Sequence, residues 1–184
     1  METMNNTNNN IFTTPSQRIL VFLANNIDRE YSEKEIVEQA GVKKSSANSA
    51  LRQLSSSGIL EKRKIGRNSI YKADGKNNTI RGIKILQNIT LISPLVERLK
   101  PNSQKVIIFG SRAQGTDTAE SDIDIFVQSN NPAAVRKIVD SSELKNRIQL
   151  IVKQPKEMLA INDEKPLFFE EINKGKVLWE NYGE

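Results

Sequence analysis

The sequence predicts an α+β protein of two domains, a helical domain closed by a basic hairpin and then a small mixed α/β domain. Three observations lead there. Over residues 15–56 apolar side chains recur every three or four positions, the period of helices packed on one face. Over residues 59–73 two short β-prone runs flank Gly66-Arg67-Asn68, a composition that suits a tight hairpin. From Val106 onward, β-branched runs bracket Gly110-Ser111 and Asp122-Ile123-Asp124.

Residues 1–14, rich in Asn and Thr, hold too little apolar surface to offset ordering and are expected to form a disordered tail. Pro15 and Ser16 then open a helix with Ile19, Leu20, Leu23 and Ile27 on one face. Ser32 with Glu35 is a capping-box signature, which introduces a short helix that turns Ile36, Val37 and Ala40 inward and stops at Gly41. A third helix is expected over 44–56. Its Ala47, Ala50, Leu51 and Leu54 make a core stripe, while Ser45, Asn48, Ser49 and Arg52 make a second stripe on another face. Small hydroxyl and amide side chains with one Arg suit a major groove, where they meet base edges and phosphates. Gly58 ends this helix, and strands at 59–65 and 69–73 follow.

The formal charge of +5 is unevenly spread. Residues 41–76 hold nine basic side chains (Lys43, Lys44, Arg52, Lys62, Arg63, Lys64, Arg67, Lys72 and Lys76) against Glu61 and Asp74, a local balance of +7. Such a patch is the footprint of a polyanionic partner. Helix, short helix, turn, helix and basic hairpin compose a winged helix-turn-helix over 15–76, and residues 51–71 resemble the winged-helix DNA-binding regulators of bacteria and archaea. Double-stranded DNA is the expected partner. Lys43, Lys44, Ser45, Asn48, Ser49 and Arg52 would face it from the helix, and Lys62, Lys64 and Arg67 from the wing, Arg67 reaching a phosphate or the minor groove. A solvated basic face, or a module for dimerisation or protein docking, is the plainer alternative.

Residues 77–92 read as a connecting helix, with Ile80, Ile83, Leu86 and Ile89 on a stripe that suits either a homodimer seam or packing onto the second domain. Ser93 and Pro94 suit an N-cap and first helical position, so a new helix is expected from there to Leu99. The second domain, 93–184, begins with a buried strand at 106–109. Gly110 lets the chain turn sharply, and Ser111 starts a short helix where backbone N–H groups and the dipole favour phosphate. Asp122 and Asp124 lie two residues apart and project from one strand face. Side by side they repel, an arrangement suited to a hard cation, since Mg²⁺ is usually held by one or two carboxylates plus substrate phosphates. Beyond them come a strand to Gln128, a turn at Asn130-Asn131-Pro132, a helix over 133–139 and a strand over 147–152. Short helices are expected from 155 and over 168–173, then a last strand at 176–179. Trp179, Phe168 and Phe169 are expected in the core.

The second domain resembles the minimal nucleotidyltransferases of the DNA polymerase β-like superfamily, whose hallmark is a strand, a Gly-Ser-x-Ala-x-Gly-like turn and Ser-Asp-x-Asp. Here the residues are Gly110-Ser111-Arg112-Ala113-Gln114-Gly115 and Ser121-Asp122-Ile123-Asp124, within a resemblance that runs from Ser93 onward. It implies a polymerase β-like core and Mg²⁺-dependent transfer of a nucleoside monophosphate, most often AMP from ATP, onto a hydroxyl. By the same resemblance Gly110 and Ser111 hold the triphosphate, while Asp122 and Asp124 ligate the metals. In active members a third carboxylate comes from a later apolar strand, and the corresponding stretch Arg147-Ile148-Gln149-Leu150-Ile151-Val152 has Gln149 there. A neutral amide would weaken the metal nearest the acceptor and cannot serve as a general base. Asp140 and Glu143 lie upstream, with no spacing that points them at the site.

With no Cys and no His, disulfide, thiolate and imidazole chemistry are excluded and a zinc site is not expected. No apolar run approaches the ~20 residues that span a bilayer, and the first ten residues lack the pattern of a secretory signal. A cytoplasmic protein without membrane association is therefore expected. Minimal nucleotidyltransferases of this kind commonly act as antitoxins, and no acceptor-binding domain is visible after the core. The resemblance thus implies an antitoxin-like regulator with a toxin-like protein partner. Two other readings stand beside it: a non-catalytic transcription factor whose degenerate domain senses nucleotide or mediates assembly, which Gln149 favours, and an enzyme of nucleic-acid ends that uses the winged helix as a clamp.

Overall fold

Thr14 is where the described chain first commits to regular structure. Its hydroxyl accepts the Gln17 N–H at 3.3 Å and the Gln17 side chain accepts the Thr14 N–H at 3.0 Å, a capping box that starts α1 (Pro15–Ala24). The computed structural model describes residues 11–27, 29–157 and 166–181. Most of the tail expected over 1–14 therefore lies outside the described residues, but its end does not fit that expectation, since Phe12 is buried and Thr14 is a cap.

The fold is a mixture of helices and sheets, in two compact units that part between Gln87 and Asn88. In the first, α1 is followed by β1 (Tyr31–Ser32), α2 (Glu33–Ala40), α3 (Lys44–Ser56), β2 (Leu60–Ile65) and β3 (Asn68–Ala73). Ser32 and Glu35 form the expected capping box at the start of α2. Ile19, Leu23, Ile36 and Leu51 are fully buried among the three helices, and Leu60, Tyr71 and Ala73 bring the antiparallel sheet β1-β3-β2 into the same core. The hairpin is tighter than the sequence suggested. Ile65 pairs with Asn68, so the loop is Gly66-Arg67 alone, with a positive φ of 59° at Gly66 and none at Arg67, as in a type II′ turn.

The linker behaves differently from its expectation. One helix, α4 (Asn78–Leu99), replaces two, with Pro94 inside it and the Ser93 hydroxyl donating to the Ile89 carbonyl at 2.8 Å instead of capping a new start. Buried Ile92, Leu95, Val96 and Leu99 continue one stripe on either side of Pro94, and that burial offsets the hydrogen bond that proline cannot make. The stripe considered for a homodimer is also divided. Ile80 and Ile83 pack into the core of the first unit, while Leu86 is exposed.

In the second unit α4 is followed by β4 (Lys105–Phe109), α5 (Gly110–Gln114), β5 (Ile123–Gln128), α6 (Pro132–Asp140), β6 (Ile148–Lys153), α7 (Pro166–Asn173) and β7 (Lys176–Glu180). Their sheet has the order β6-β5-β4-β7, with β5 and β6 parallel and the other pairs antiparallel. Alternation divides it cleanly. Val106, Ile108, Ile123, Ile125, Val127 and Val152 pack with Leu95 and Leu99 of α4 and Val135 and Val139 of α6. On the opposite face Ile107, Phe109 and Phe126 meet Ile172 and Phe168 of α7, where the Phe109 and Phe168 rings stand edge to face at 6.3 Å. Trp179 is half-buried against the first of these clusters, and Phe169 is half-buried. After β6, Pro155–Glu157 is a 3₁₀ turn; the remainder of the helix expected there lies outside the described residues. Among the described residues no helix is long and apolar enough to cross a membrane.

Candidate functional site

The site is built where β4 breaks. The strand runs straight into Gly110, whose φ is +66°, and a Cβ there would run into the Asp124 carboxylate, with Cγ only 3.2 Å away. Two independent reasons, a positive φ and a close approach, thus require glycine. The approach follows from register: Phe109 pairs with Asp124 across β4 and β5. Five-residue α5 closes on Gly115, whose N–H donates to the Ser111 carbonyl, and Ser111 is half-buried.

Asp124 shares its sheet face with Phe126, and so does Asp122, two residues before it. Asp122 is exposed and Asp124 half-buried. Burial pushes the Asp124 carboxyl above the usual carboxylate range, the nearby Asp122 and Glu171 charges push it further, and Arg112 opposes them. Gln149 pairs in register with Asp124 on the parallel strand β6, which puts it on the same face. Glu171 is an addition that the sequence did not signal, because nothing in the pattern told that α7 covers this particular face. Among the described residues no three acidic side chains come close enough to hold one metal ion together. The hard oxygen donors at hand are those of Asp122 and Asp124, and two mutually repelling carboxylates beside a glycine turn fit a divalent cation.

Behind the carboxylates lies a buried polar network that sequence reasoning also missed. The Arg112 side chain is 3% exposed. Its Nε donates to the carbonyls of Asp122 at 2.8 Å and Ser121 at 3.2 Å, and its Nη2 donates to Ser121 at 2.6 Å. Nη1 donates to Asn88 Oδ1 at 2.8 Å and lies 3.6 Å from Asp117 Oδ2. Asn88 Nδ2 in turn donates to the Arg112 carbonyl at 3.1 Å and to Asp117 Oδ1 at 3.0 Å. Burial lowers the proton affinity of Arg112, and Asp117 partly restores it. Arg147 adds a bond from Nη2 to the Ala119 carbonyl at 3.1 Å. The only sequence cue was a charged residue inside an otherwise small, turn-forming motif.

In the first unit, Lys44, Ser45, Asn48, Ser49 and Arg52 line an open hollow of about 540 Å³ on the face of α3 opposite its core stripe. Asn48 also donates to Glu33 at 3.5 Å. Lys43 is exposed just before the helix. On the hairpin, Lys62 lies 5.6 Å over the Tyr71 ring, Lys64 is exposed opposite Ser69, and Arg67 is exposed in the loop. The nine basic and polar candidates thus occupy two surfaces, one on α3 and one on the hairpin.

Residues 92–183, half of the chain, match the family model described as Polymerase beta, Nucleotidyltransferase. The chain belongs to that family. The chain is also similar to a solved structure from Sulfolobus solfataricus described as a "putative nucleotidyltransferase", at 22% identity and a TM-score of 0.39, over 58% of this chain and 92% of that one. No curated protein matches the chain.

The raised Asp124 carboxyl has a consequence for the metal-free nucleotidyltransferase domain. An acid whose value is higher folded than unfolded destabilises the fold once it ionises, so Asp124→Asn should stabilise the domain. The difference should be absent below the ordinary carboxylate range and open as pH rises through the raised value. Chemical denaturation of both chains between pH 3 and pH 8 in chelator, with no such opening, would remove the account of a repelling pair.

Proposed function

We propose that this protein is a DNA-binding transcriptional regulator of the antitoxin type, whose nucleotidyltransferase domain binds Mg-ATP and transfers AMP to a protein partner. The observation that carries the nucleotide site is the Gly110 backbone pressed against the Asp124 carboxylate, with Asp122 on the same face. In this reading Asp122 and Asp124 ligate Mg²⁺ and are the catalytic carboxylates, while Gly110 and Ser111 bind the triphosphate through the turn and the start of α5. Bound Mg²⁺ would polarise the reacting phosphate and neutralise charge on the leaving group. The face beneath is sealed by Phe109, Phe126 and Ile172, so the pair is desolvated from one side only and stays open to a ligand from the other.

For the first unit we propose a winged helix-turn-helix, with α3 entering the major groove through Lys44, Ser45, Asn48, Ser49 and Arg52, and Lys43 at its start. Lys62, Lys64 and Arg67 lie along the wing. What supports this is the separation of α3 into a buried apolar stripe and an exposed hollow of small polar and basic side chains, beside a hairpin of basic residues. A homodimer would present two such helices to the two halves of an operator.

Gln149 favours a second reading. Its register with Asp124 puts an amide beside the pair, which suits a nucleotide sensor that does not transfer.

Calorimetric titration of Mg-ATP should give saturable binding by the wild type and none by an Asp122→Asn, Asp124→Asn double variant. A wild type that takes up no heat at millimolar ligand would end the nucleotide reading. The sensor reading expects Gln149→Asp to gain transfer of labelled AMP that the wild type lacks; a wild type that already labels its partner rules the sensor out. For the reader, anisotropy with a random-sequence duplex should show Arg52→Ala and Arg67→Ala binding more weakly. Each should also lose about one unit of the log–log salt slope if its contact is to phosphate. Unchanged binding in both would leave the basic patch as a solvated face.

A further inference from the structure

Asp122 ends a stretch, 115–122, that forms neither helix nor strand, although Asp124 two residues later is fixed in β5. Its neighbour in charge repels it, so without further restraint the carboxylate pair would open before any cation arrived. The restraint is visible in the bonds of Arg112. A buried guanidinium needs partners for its five N–H groups, and a carboxylate fork would be the ordinary solution. Here Asp117 Oδ2 lies 3.6 Å from Nη1, while three bonds go to the carbonyls of Ser121 and Asp122. Asn88, only 5% exposed, accepts from Nη1 and donates back to the Arg112 carbonyl, so both the head and the root of the side chain are held from α4.

We propose that Arg112, presented by Asn88, is a positioning residue that fixes the Asp122 backbone in the geometry of the cation site before the ligand binds. This rests on the reading of Asp122 and Asp124 as the metal-nucleotide site. Arg112 touches no ligand itself; it acts through the peptide groups that carry Asp122. Asp117 contributes differently, because it bonds Asn88 and Arg112 but neither carbonyl. Its role is to balance the buried charge.

The test is Mn²⁺ binding to the full chain, followed by electron paramagnetic resonance, with thermal unfolding measured on the same samples and Asp122→Asn as the control for the site. Arg112→Lys keeps the charge but loses the planar fork, and Asn88→Ala releases it; each should weaken Mn²⁺ by about 10- to 100-fold while the domain remains folded. Asp117→Asn should lower the melting temperature and leave Mn²⁺ affinity close to wild type. If a folded Arg112→Lys or Asn88→Ala chain binds Mn²⁺ as the wild type does, the proposal is overturned. It is equally overturned if affinity falls in step with stability across all three variants, which is what a purely structural network would do. Should Arg112→Lys fail to fold, Asn88→Ala decides by the same criterion. No Mn²⁺ binding by the wild type, or binding unchanged in Asp122→Asn, is a separate result and would overturn the site reading beneath it.

Discussion

Two carboxylates on one strand face, Asp122 and Asp124, impose the constraint around which the second unit is arranged. Repulsion between them is largest if water is excluded and smallest if they splay, yet the proposed cation site needs them close and partly desolvated. The fold meets both demands by asymmetry. Asp124 is anchored in β5, half-buried and backed by Phe126, while Asp122 stays exposed at the end of an irregular stretch. Gly110 is then brought against Asp124 by strand register, so the turn and the acid are placed by the same pairing of β4 with β5. A strand slip of one residue would move Asp124 to the α4 and α6 face and destroy the site and the core at once.

The first unit solves a simpler problem with the same economy of pattern. α3 must bury one stripe and leave another solvated, and helical spacing separates them without any special device. Leu51 is fully buried while Arg52, the next residue, is exposed. The hairpin continues the division: Leu60 and Tyr71 belong to the core, and Lys62 lies over the Tyr71 ring as the strand leaves it. Basic side chains therefore extend outward from a packed base rather than from a free loop.

Where a feature depended on period or on a local cap, the sequence read well. The boundaries of α3, the Ser32–Glu35 box and the alternation of β4 and β5 are properties of a few adjacent residues. The place of Gln149 came from the resemblance to the nucleotidyltransferases rather than from pattern, and the parallel register of β5 with β6 sets it beside Asp124. Features set by partners distant in sequence did not read. Two-residue β1 exists only because β3 lies beside it, and Pro94 stays helical only because Leu95 and Leu99 are buried on the sheet. Asn88 and Arg112 are 24 residues apart and look like surface residues until the fold closes over them. The approach of Glu171 to Asp124 depends on how α7 docks through Phe168 and Ile172, which no spacing within α7 reveals.

Gln149 can be weighed in the same electrostatic terms. An aspartate there would stand beside Asp124 on the same sheet face, about 4.8 Å away at strand spacing, and like charges in that relation are destabilising. Asp124 already bears burial and the charges of Asp122 and Glu171, with Arg112 as the opposing charge. Arg112 is itself committed to backbone carbonyls and to Asp117, so it has little left with which to neutralise a further acid. An amide at 149 therefore spares the metal-free domain a third like charge, at the cost, in the proposed site, of an anionic ligand and a base. Both effects arise from the exchange of a carboxylate for an amide, and they act in opposite directions: the resting domain becomes easier to keep folded, and a cation at the proposed site becomes harder to hold.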